Sequence, residues 1–302
     1  MLRLALQVML LLVATAQIAW AGSITLVLSD NGGPYAEFGS TLGDALDGSS
    51  WKITASVKAD NLDPGASRPD LIVTVGSEAF RQTLGRGGSI PIVATLLPRQ
   101  SYARILAESG KVRSRLTAIY LDQPPARQAA FLRQLLPGKT RIGMLVSAET
   151  RPQTGLYRQA FASAGLSLDN EDSDSENTLL SAINTLLPRV DALLAIPDST
   201  IYKRDNIKTI LVTSYRYQRP VIAFSATFVN AGALAALYST PTQIARQAAE
   251  LIVNSGTNLP GPTAPKLFAI AINQNVAQAL GLSIPDEATI RRAMLVADRD
   301  AR

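Results

Sequence analysis

Short apolar runs alternate with longer amphipathic segments along most of this 302-residue chain. Runs of β-branched and apolar residues are typical of strands, and apolar positions spaced three and four apart are typical of helices. The predicted strands span residues 24–29, 51–57, 71–75, 92–96, 116–121, 141–146, 192–196, 221–224, 234–239 and 268–272. The predicted helices span residues 35–46, 78–84, 126–136, 155–164, 178–187, 205–217, 241–253 and 287–297.

The alternation of strand and helix predicts parallel sheets covered by helices on both faces, the α/β class of fold. The pattern also repeats on a larger scale. One series ends at about Leu121, and a second begins at about Arg141, after the helix stop signal Pro137-Gly138. We therefore predict two Rossmann-like lobes with parallel sheets and an interlobe cleft that binds the ligand.

The first 21 residues have the anatomy of a secretory signal peptide. Arg3 supplies a positive charge, residues 4–14 form an apolar run interrupted by Gln7, and the segment closes with Ala19-Trp20-Ala21. A membrane anchor is the alternative, but the run is short for a hydrocarbon core of about 30 Å. We predict cleavage before Gly22 and a soluble, periplasmic protein, since no cysteine is present to carry a lipid.

The composition excludes several kinds of chemistry. The chain has no cysteine and no histidine, which excludes disulfides, thiol catalysis, Ser-His-Asp triads and histidine zinc sites. Carboxylates alone favour hard cations, and we predict no metal site and no cofactor. The formal net charge of +5 comes from basic residues spread along the chain, so we predict solvated faces and no nucleic-acid partner.

Several predicted strands end in loops that carry a small hydroxyl, Gly or Asn just before a helix. Free backbone N–H groups at a helix N-terminus bind carboxylate or phosphate groups of ligands, and α/β sheets bind ligands at these strand ends. Each loop can equally serve only to cap its own helix. The candidate ligand-binding residues in this set are Ser29, Asn31, Tyr35, Gly76, Ser77, Thr95, Ser147, Asp198, Ser199, Ser225 and Thr227.

Other ligand classes receive less support. The chain has neither G-x-G-x-x-G nor G-x-x-x-x-G-K-[ST], so dinucleotide and nucleoside-triphosphate binding are not predicted. Asp122, Asp198 and Asp205 are the carboxylates nearest strand ends or hinges, but nothing singles out a catalytic pair across a cleft. The acidic run 169–174 lacks the Gly and terminal Glu of an EF-hand loop, and we interpret it as a solvated loop.

Several ordered stretches between about Leu71 and Asp286 resemble motifs of the tryptophan-receptor-like ABC transporter substrate-binding proteins. They are residues 70–77 (DLIVTVGS), 132–145 (LRQLLPGKTRIGML), 190–198 (VDALLAIPD), 232–237 (GALAAL), 245–250 (ARQAAE), 272–273 (IN) and 279–285 (ALGLSIP). The ordered set is far more specific than any one stretch.

This resemblance implies a type I periplasmic-binding-protein fold, with two α/β lobes, three crossovers and a ligand closed between the lobes. It implies a signal peptide at 1–21, an N-terminal lobe of 22–121 plus 226–259 and a C-terminal lobe of 122–225 plus 260–302. It further implies a monomeric extracytoplasmic solute-binding protein of an ABC-type uptake system, without enzymatic activity, that works with an inner-membrane ABC permease. The family's ligands include aromatic and aliphatic amino acids.

The sequence departs from the family pattern near the expected ligand. The family commonly has P-V-[FI]-A-S-D-E where residues 220–226 read PVIAFSA, so Ser225 replaces an acid that neutralises a ligand ammonium. The family's D-P after the fourth strand is Leu97-Pro98 here. Burying an unpaired ammonium costs several kcal/mol, and a neutral hydrogen bond returns only about 0.5–1.5 kcal/mol.

We therefore predict an uncharged or anionic small organic ligand rather than a free amino acid. Three aromatic residues near this crossover, Phe224, Phe228 and Tyr238, suggest a flat ligand. Ordinary core packing is the alternative for all three, and we include Phe228 and Tyr238 among the candidate ligand-binding residues.

Two other functions stay open on the sequence alone. A periplasmic sensory receptor subunit would present the closed form to a membrane kinase or cyclase instead of a permease. A secreted carboxylate-dependent hydrolase is the weaker alternative, because it needs two inward-facing acids at matched depth in the cleft.

The signal peptide has a direct test. Because Ala19 and Ala21 fit the subsites of the peptidase, we expect mass analysis of the exported protein to find Gly22 at its N-terminus. A chain that keeps residues 1–21 and stays in the inner membrane would contradict the prediction.

Overall fold

The computed structural model describes residues 22–63, 68–86 and 88–300, with side chains described up to residue 296. The predicted signal peptide lies outside the described residues. Within these ranges, no helix has both the length and the apolar content that crossing a membrane requires.

Five parallel strands form the sheet of the first lobe, in the spatial order β2-β1-β3-β4-β5. The inner strands are nearly continuous runs of buried residues, as expected where helices cover both faces. The edge strand β2 instead alternates half-buried and exposed residues. The bounds are β1 Gly22–Leu28, β2 Trp51–Lys58, β3 Leu71–Val75, β4 Ile92–Leu97 and β5 Leu116–Tyr120.

Six strands form the sheet of the second lobe, in the order β11-β10-β9-β8-β6-β7. The β10–β11 pair is antiparallel, and the other neighbours are parallel. The bounds are β6 Arg141–Val146, β7 Ser167–Asp172, β8 Ala192–Leu194, β9 Val221–Ala223, β10 Ala235–Tyr238 and β11 Ala269–Ile272.

Helices cover both faces of both sheets. In the first lobe, α1 and α9 contribute to one core and α2 and α3 to another. In the second lobe, α4, α5 and α11 pack on one side and α6, α7 and α8 on the other. The bounds are α1 Gly33–Leu46, α2 Ser77–Gly85, α3 Arg99–Glu108, α4 Pro125–Leu135, α5 Thr154–Ser163, α6 Glu176–Leu186, α7 Arg204–Arg216, α8 Ala226–Asn230, α9 Pro241–Ser255, α10 Gln274–Ala279 and α11 Glu287–Asp300.

The structure corrects the predicted return to the first lobe near Ser225. Strand β10 lies between β9 and β11 in the second sheet, so residues 226–238 stay in the second lobe. The chain leaves that lobe only after Tyr238. An apolar run predicts a buried strand, but it carries no information on which sheet the strand joins.

Helix α9 is the segment that the first lobe takes from the later part of the chain. Its buried residues Ile244, Ala248 and Ile252 belong to the same core as Phe38 and Leu42 of α1. Its N-terminus is fixed by a reciprocal cap between Thr240 and Gln243, with Pro241 as the first helical residue.

The chain returns to the second lobe slightly later than expected. Thr263 still pairs with the first sheet, where its backbone N–H donates to Ala118 and its carbonyl accepts from Tyr120. The return therefore follows Thr263, whereas the sequence predicted it near Pro260.

Buried hydrogen bonds link the three crossover segments. Gln123 in the first segment donates from Nε2 to Ser239 Oγ in the second, at 2.7 Å. Ser239 Oγ in turn donates to the carbonyl of Leu267 in the third, at 2.6 Å. Gln123 and Ser239 are both buried, so these bonds are shielded from competing water. They fix the three crossovers relative to one another.

The acidic run 169–174 lies partly in a strand and not in the predicted loop. Strand β7 pairs with β6 along its whole length at the edge of the sheet. An edge strand tolerates charged side chains because part of it faces water. Arg189 pairs with Asp169 at 3.0 Å and with Glu171 at 2.5 Å, which offsets some of the acidic charge.

The packing of α9 on the first lobe can be measured with two adjacent substitutions. Ile252 is fully buried in the shared core, whereas the side chain of Val253 is 49% exposed. We expect Ile252→Ala to lower the free energy of unfolding by about 2–5 kcal/mol, because it removes core volume. Val253→Ala should change it by less than about 0.5 kcal/mol. Urea denaturation measures both, and equal small effects would contradict this packing.

Candidate functional site

Three predicted site residues meet at the carboxyl ends of β1 and β3. The backbone N–H of Ser29 donates to the carbonyl of Val75, and Ser29 Oγ accepts a hydrogen bond from Ala79 N–H at 2.9 Å. Gly76 has a φ of +94°, and a Cβ there would lie 2.5 Å from Ser29 Oγ and 2.8 Å from Tyr35 Cε1. Only glycine fits this conformation and this space. Ser29, Tyr35 and Gly76 therefore form one compact group.

The remaining first-lobe candidates differ in how accessible they are. Asn31 is exposed in the loop before α1, and Ser77 is half-buried as the first residue of α2. Thr95 is fully buried, and its Oγ1 donates to the carbonyl of Thr74 at 2.9 Å. The hydroxyl of Thr95 is thus used within the first sheet.

In the second lobe, the carboxylate of Asp198 is buried and accepts five hydrogen bonds. Its Oδ2 accepts from Ser147 N–H at 3.2 Å, from Ser147 Oγ at 2.7 Å and from Thr150 Oγ1 at 2.6 Å. Its Oδ1 accepts from the N–H groups of Thr200 and Ile201 at 2.9 and 3.0 Å. Ser147 and Asp198 contact each other, and their hydrogen bonds join the loops after β6 and β8.

Helix α3 of the first lobe reaches across to these loops. Gln100, which is buried, donates from Nε2 to the carbonyl of Pro197 and accepts at Oε1 from Gln153 Nε2 at 3.3 Å. One glutamine therefore bonds to both loops of the second lobe, at the carboxyl ends of β6 and β8.

A second interlobe contact lies one turn further along α3. Arg104 Nη1 is 3.7 Å from Glu149 Oε1 and 3.3 Å from Ser199 Oγ. Glu149 Oε2 accepts from Ser199 N–H at 3.0 Å and from Ser199 Oγ at 2.5 Å. The predicted residue Ser199 is thus exposed at the lobe boundary, where it contacts an arginine of the first lobe.

Sequence reasoning missed these interlobe residues because it missed α3. A usable signal is present, since Tyr102, Ile105 and Leu106 follow Pro98 at helical spacing. The polar residues Gln100 and Arg104 lie four apart and therefore share a helix face.

Asp122 is a partly buried carboxylate at the first crossover. Burial raises its pKa above the ordinary value, and the hydrogen bond from Arg99 N–H, at 2.7 Å, opposes that shift. The guanidinium of Arg99 lies 4.8 Å from the ring centroid of Tyr120. These contacts place one acid and one cation next to the crossover.

The candidates after β9 form a separate group within the second lobe. Ser225 caps α8, with its Oγ accepting from Phe228 N–H at 3.2 Å. The rings of Tyr202, Phe224 and Phe228 meet edge to face, with centroids 5.7–5.8 Å apart. Together with Thr227, these residues line a pocket of about 490 Å³.

Tyr238 packs on the same core at the end of β10. Burial raises its pKa, and the nearby charges that act on its hydroxyl are those of Glu287 and Arg291 in α11. The structure thus places Tyr238 towards the last helix.

The described residues contain no cluster of three or more Asp, Glu, His or Cys side chains that could hold a metal ion. Near the lobe boundary the protein offers hydroxyls, amides, aromatic rings, guanidinium groups and protein-bound carboxylates. This set suits recognition of a small molecule.

The comparisons with known proteins identify the class. Residues 57–295 match the family model for the ABC transporter substrate binding protein. The match covers most of the chain, and the protein belongs to this family of non-enzymatic substrate-binding proteins. No curated protein sequence matches the chain.

Three solved structures share its fold. A conserved domain protein from Vibrio cholerae is 19% identical, with a TM-score of 0.61, over 90% of this chain and 98% of its own. An ABC domain from Streptococcus pneumoniae in complex with L-Trp is 18% identical, with a TM-score of 0.62, over 90% of this chain and 98% of its own. An open, ligand-free substrate-binding protein with adhesive properties from Clostridium difficile is 17% identical, with a TM-score of 0.68, over 88% of this chain and 96% of its own.

These likenesses and the two sheets confirm the predicted fold, a two-lobe type I periplasmic binding protein. The resemblance to the ABC substrate-binding proteins, inferred from ordered motifs, is confirmed by the family match.

The contribution of Asp198 to stability, through the hydrogen bonds that join the loops after β6 and β8, can be measured without a ligand. Asp198→Asn keeps the volume but turns one acceptor oxygen into a donor, which then faces other donors. Hydrogen bonds to charged groups are worth roughly 1.5–3 kcal/mol, so we expect the free energy of unfolding to fall by about 2–4 kcal/mol. Asp205→Asn, at an exposed position in the first turn of α7, should cost below about 1 kcal/mol. Equal effects in urea denaturation would contradict this role.

Proposed function

We propose that the protein is the periplasmic receptor of an ABC uptake system and closes its two lobes on a small organic ligand. The closed form would then be presented to an inner-membrane permease. The observation that carries this proposal is the contact of Gln100 with the loops after β6 and β8, at the ligand-binding ends of the second sheet's strands.

Closure by ligand requires interactions that the open form lacks. A ligand shifts an equilibrium between two conformations only by its differential affinity for them. Gln100 and Arg104 supply protein–protein contacts of this kind. A ligand between Tyr35 on the first lobe and Ser199 on the second would add further interactions that exist only in the closed form. Arg104 and Glu149 are both partly exposed, so we assign their pair a modest contribution.

The proposed ligand is uncharged or anionic. Ser225 occupies the position where the family has an acid, and its Oγ is engaged by Phe228 N–H. Asp198 is saturated by five protein donors. A ligand ammonium buried without a counter-ion would lose several kcal/mol of hydration. Asp122 beside Arg99 and Glu149 beside Arg104 are carboxylates near the lobe boundary that would have to supply a counter-charge if free amino acids do bind.

A ligand screen with two readouts tests the proposal. Tryptophan, tyrosine and leucine should bind weakly, and neutral or anionic organic compounds of similar size should include micromolar ligands in titration calorimetry. At about 100 times its dissociation constant, such a ligand should stabilise the protein by roughly 2.7 kcal/mol and reduce its radius of gyration in small-angle scattering. Tight binding without compaction would contradict lobe closure, and micromolar amino-acid binding would contradict the ligand class.

The interlobe contact provides a matched pair of variants. Gln100→Ala removes the buried interlobe hydrogen bonds, and one such bond contributes about 0.5–1.5 kcal/mol. We expect a two- to tenfold weaker affinity for any ligand that compacts the protein. Gln159→Ala, at an exposed position on α5, serves as the control and should leave the affinity unchanged. An unchanged affinity in Gln100→Ala would show that this contact does not assist closure.

A further inference from the structure

The pocket between α7 and α8 is built from the second lobe alone. Its floor is the aromatic group of Tyr202, Phe224 and Phe228, in which Tyr202 is 8% exposed and Phe228 is 3% exposed. The volume of about 490 Å³ is in the range of small-molecule sites. We propose that this pocket is a second ligand site, separate from the interlobe cleft, for a flat apolar molecule that carries a carboxylate.

The two cationic side chains that line the pocket favour an anionic ligand. Arg204 and Lys208 line the pocket one helical turn apart on α7, and both are exposed. Neither has an ion-pair partner among the described residues, and none of the residues that line the pocket is acidic. Asp205, the nearest acid in sequence, is exposed on α7 outside the lining. Two cations beside an apolar floor match a ligand with an aromatic body and a carboxylate at its edge.

Tyr202 contributes to the pocket through its ring, because its hydroxyl is shielded from solvent. Its hydroxyl is buried and has no hydrogen-bond partner among the described residues. Burial raises the pKa of Tyr202 well above its usual range, so the hydroxyl keeps its proton and remains a donor. A buried polar group without a partner is unfavourable. The charge of Asp198 acts on this hydroxyl, so the hydroxyl lies on the side of the loops after β6 and β8, and a ligand in the pocket would contact the ring of Tyr202 instead.

Binding in this pocket does not require lobe closure. The lining runs from Tyr202 to Ala231 and contains no residue of the first lobe. Ser225 and Thr227, at the carboxyl end of β9, also border this pocket, and this does not remove them from the predicted cleft contacts. The second site and the proposed closure of the lobes can therefore each be true without the other.

Titration calorimetry with trans-cinnamate and its neutral isostere trans-cinnamamide tests the second site. We expect cinnamate to bind more tightly than cinnamamide, with an affinity that falls as salt is raised. Arg204→Gln combined with Lys208→Gln should weaken cinnamate binding about fivefold and leave cinnamamide unchanged. Arg216→Gln removes an exposed charge at the other end of α7 and should have no effect on either compound.

Two further variants locate the bound molecule. Ala231→Trp places a bulky group at an exposed lining position and should abolish binding of both compounds. Tyr202→Phe removes a shielded hydroxyl that has no partner among the described residues, so it should raise the melting temperature of the ligand-free protein and leave cinnamate binding unchanged. The site is overturned if cinnamate does not bind, if it binds unchanged to the Ala231→Trp or the doubly substituted variant, or if it compacts the protein in small-angle scattering. Compaction would assign cinnamate to the interlobe cleft and support lobe closure, so the two proposals fail separately.

Discussion

Three crossings of the chain between the lobes set the constraint on which the rest of the structure depends. Gln123, Ser239 and the carbonyl of Leu267 form one buried chain of hydrogen bonds through all three crossings. Gln247 of α9 adds to it by accepting from Lys266 N–H at 2.8 Å. The lobes are thus attached along one fixed line. Movement about that line changes the distance between α3 and the loops after β6 and β8, and it leaves each sheet intact.

The second lobe carries a buried charge close to the surface that meets the first lobe. Within the described part of the chain, the carboxylate of Asp198 forms no ion pair, and it is stabilised by five donors from the two loops. The oriented N–H and O–H groups supply the hydrogen bonds that a buried carboxylate needs in place of water. The same bonds hold the carbonyl of Pro197 and the side chain of Ser199 in place for Gln100 and Arg104. A fixed electrostatic cluster in one lobe therefore positions the contacts made by the other.

The sequence was sufficient for the fold class and for most of the elements, because buried parallel strands leave apolar runs that are easy to recognise. It missed β7, α3 and the short helices α8 and α10. It could not show which sheet residues 235–238 join, since burial alone does not specify the neighbouring strand. It failed at β7, where an edge position tolerates an acidic strand, and at α3, whose apolar positions are few. For the site, loop composition found Ser147 and Asp198, yet it could not distinguish a ligand contact from a carboxylate bound by its own protein. Gln100 has no distinctive pattern of its own, and only the helical spacing of Tyr102, Ile105 and Leu106 could have indicated the helix that carries it.

The origin of α9 has a consequence for how the chain folds as it is made. The first sheet is complete in sequence at Tyr120, but one of its faces is covered by α9, which begins at Pro241 and packs against α1. Until that helix has been synthesised, the core around Phe38 and Leu42 lacks the α9 side chains that pack against it. A nascent chain therefore holds its N-terminal half incompletely folded for more than a hundred residues. The export that the predicted signal peptide implies would benefit from this delay, because an incompletely folded N-terminal half stays competent for translocation until nearly all of the chain has left the ribosome.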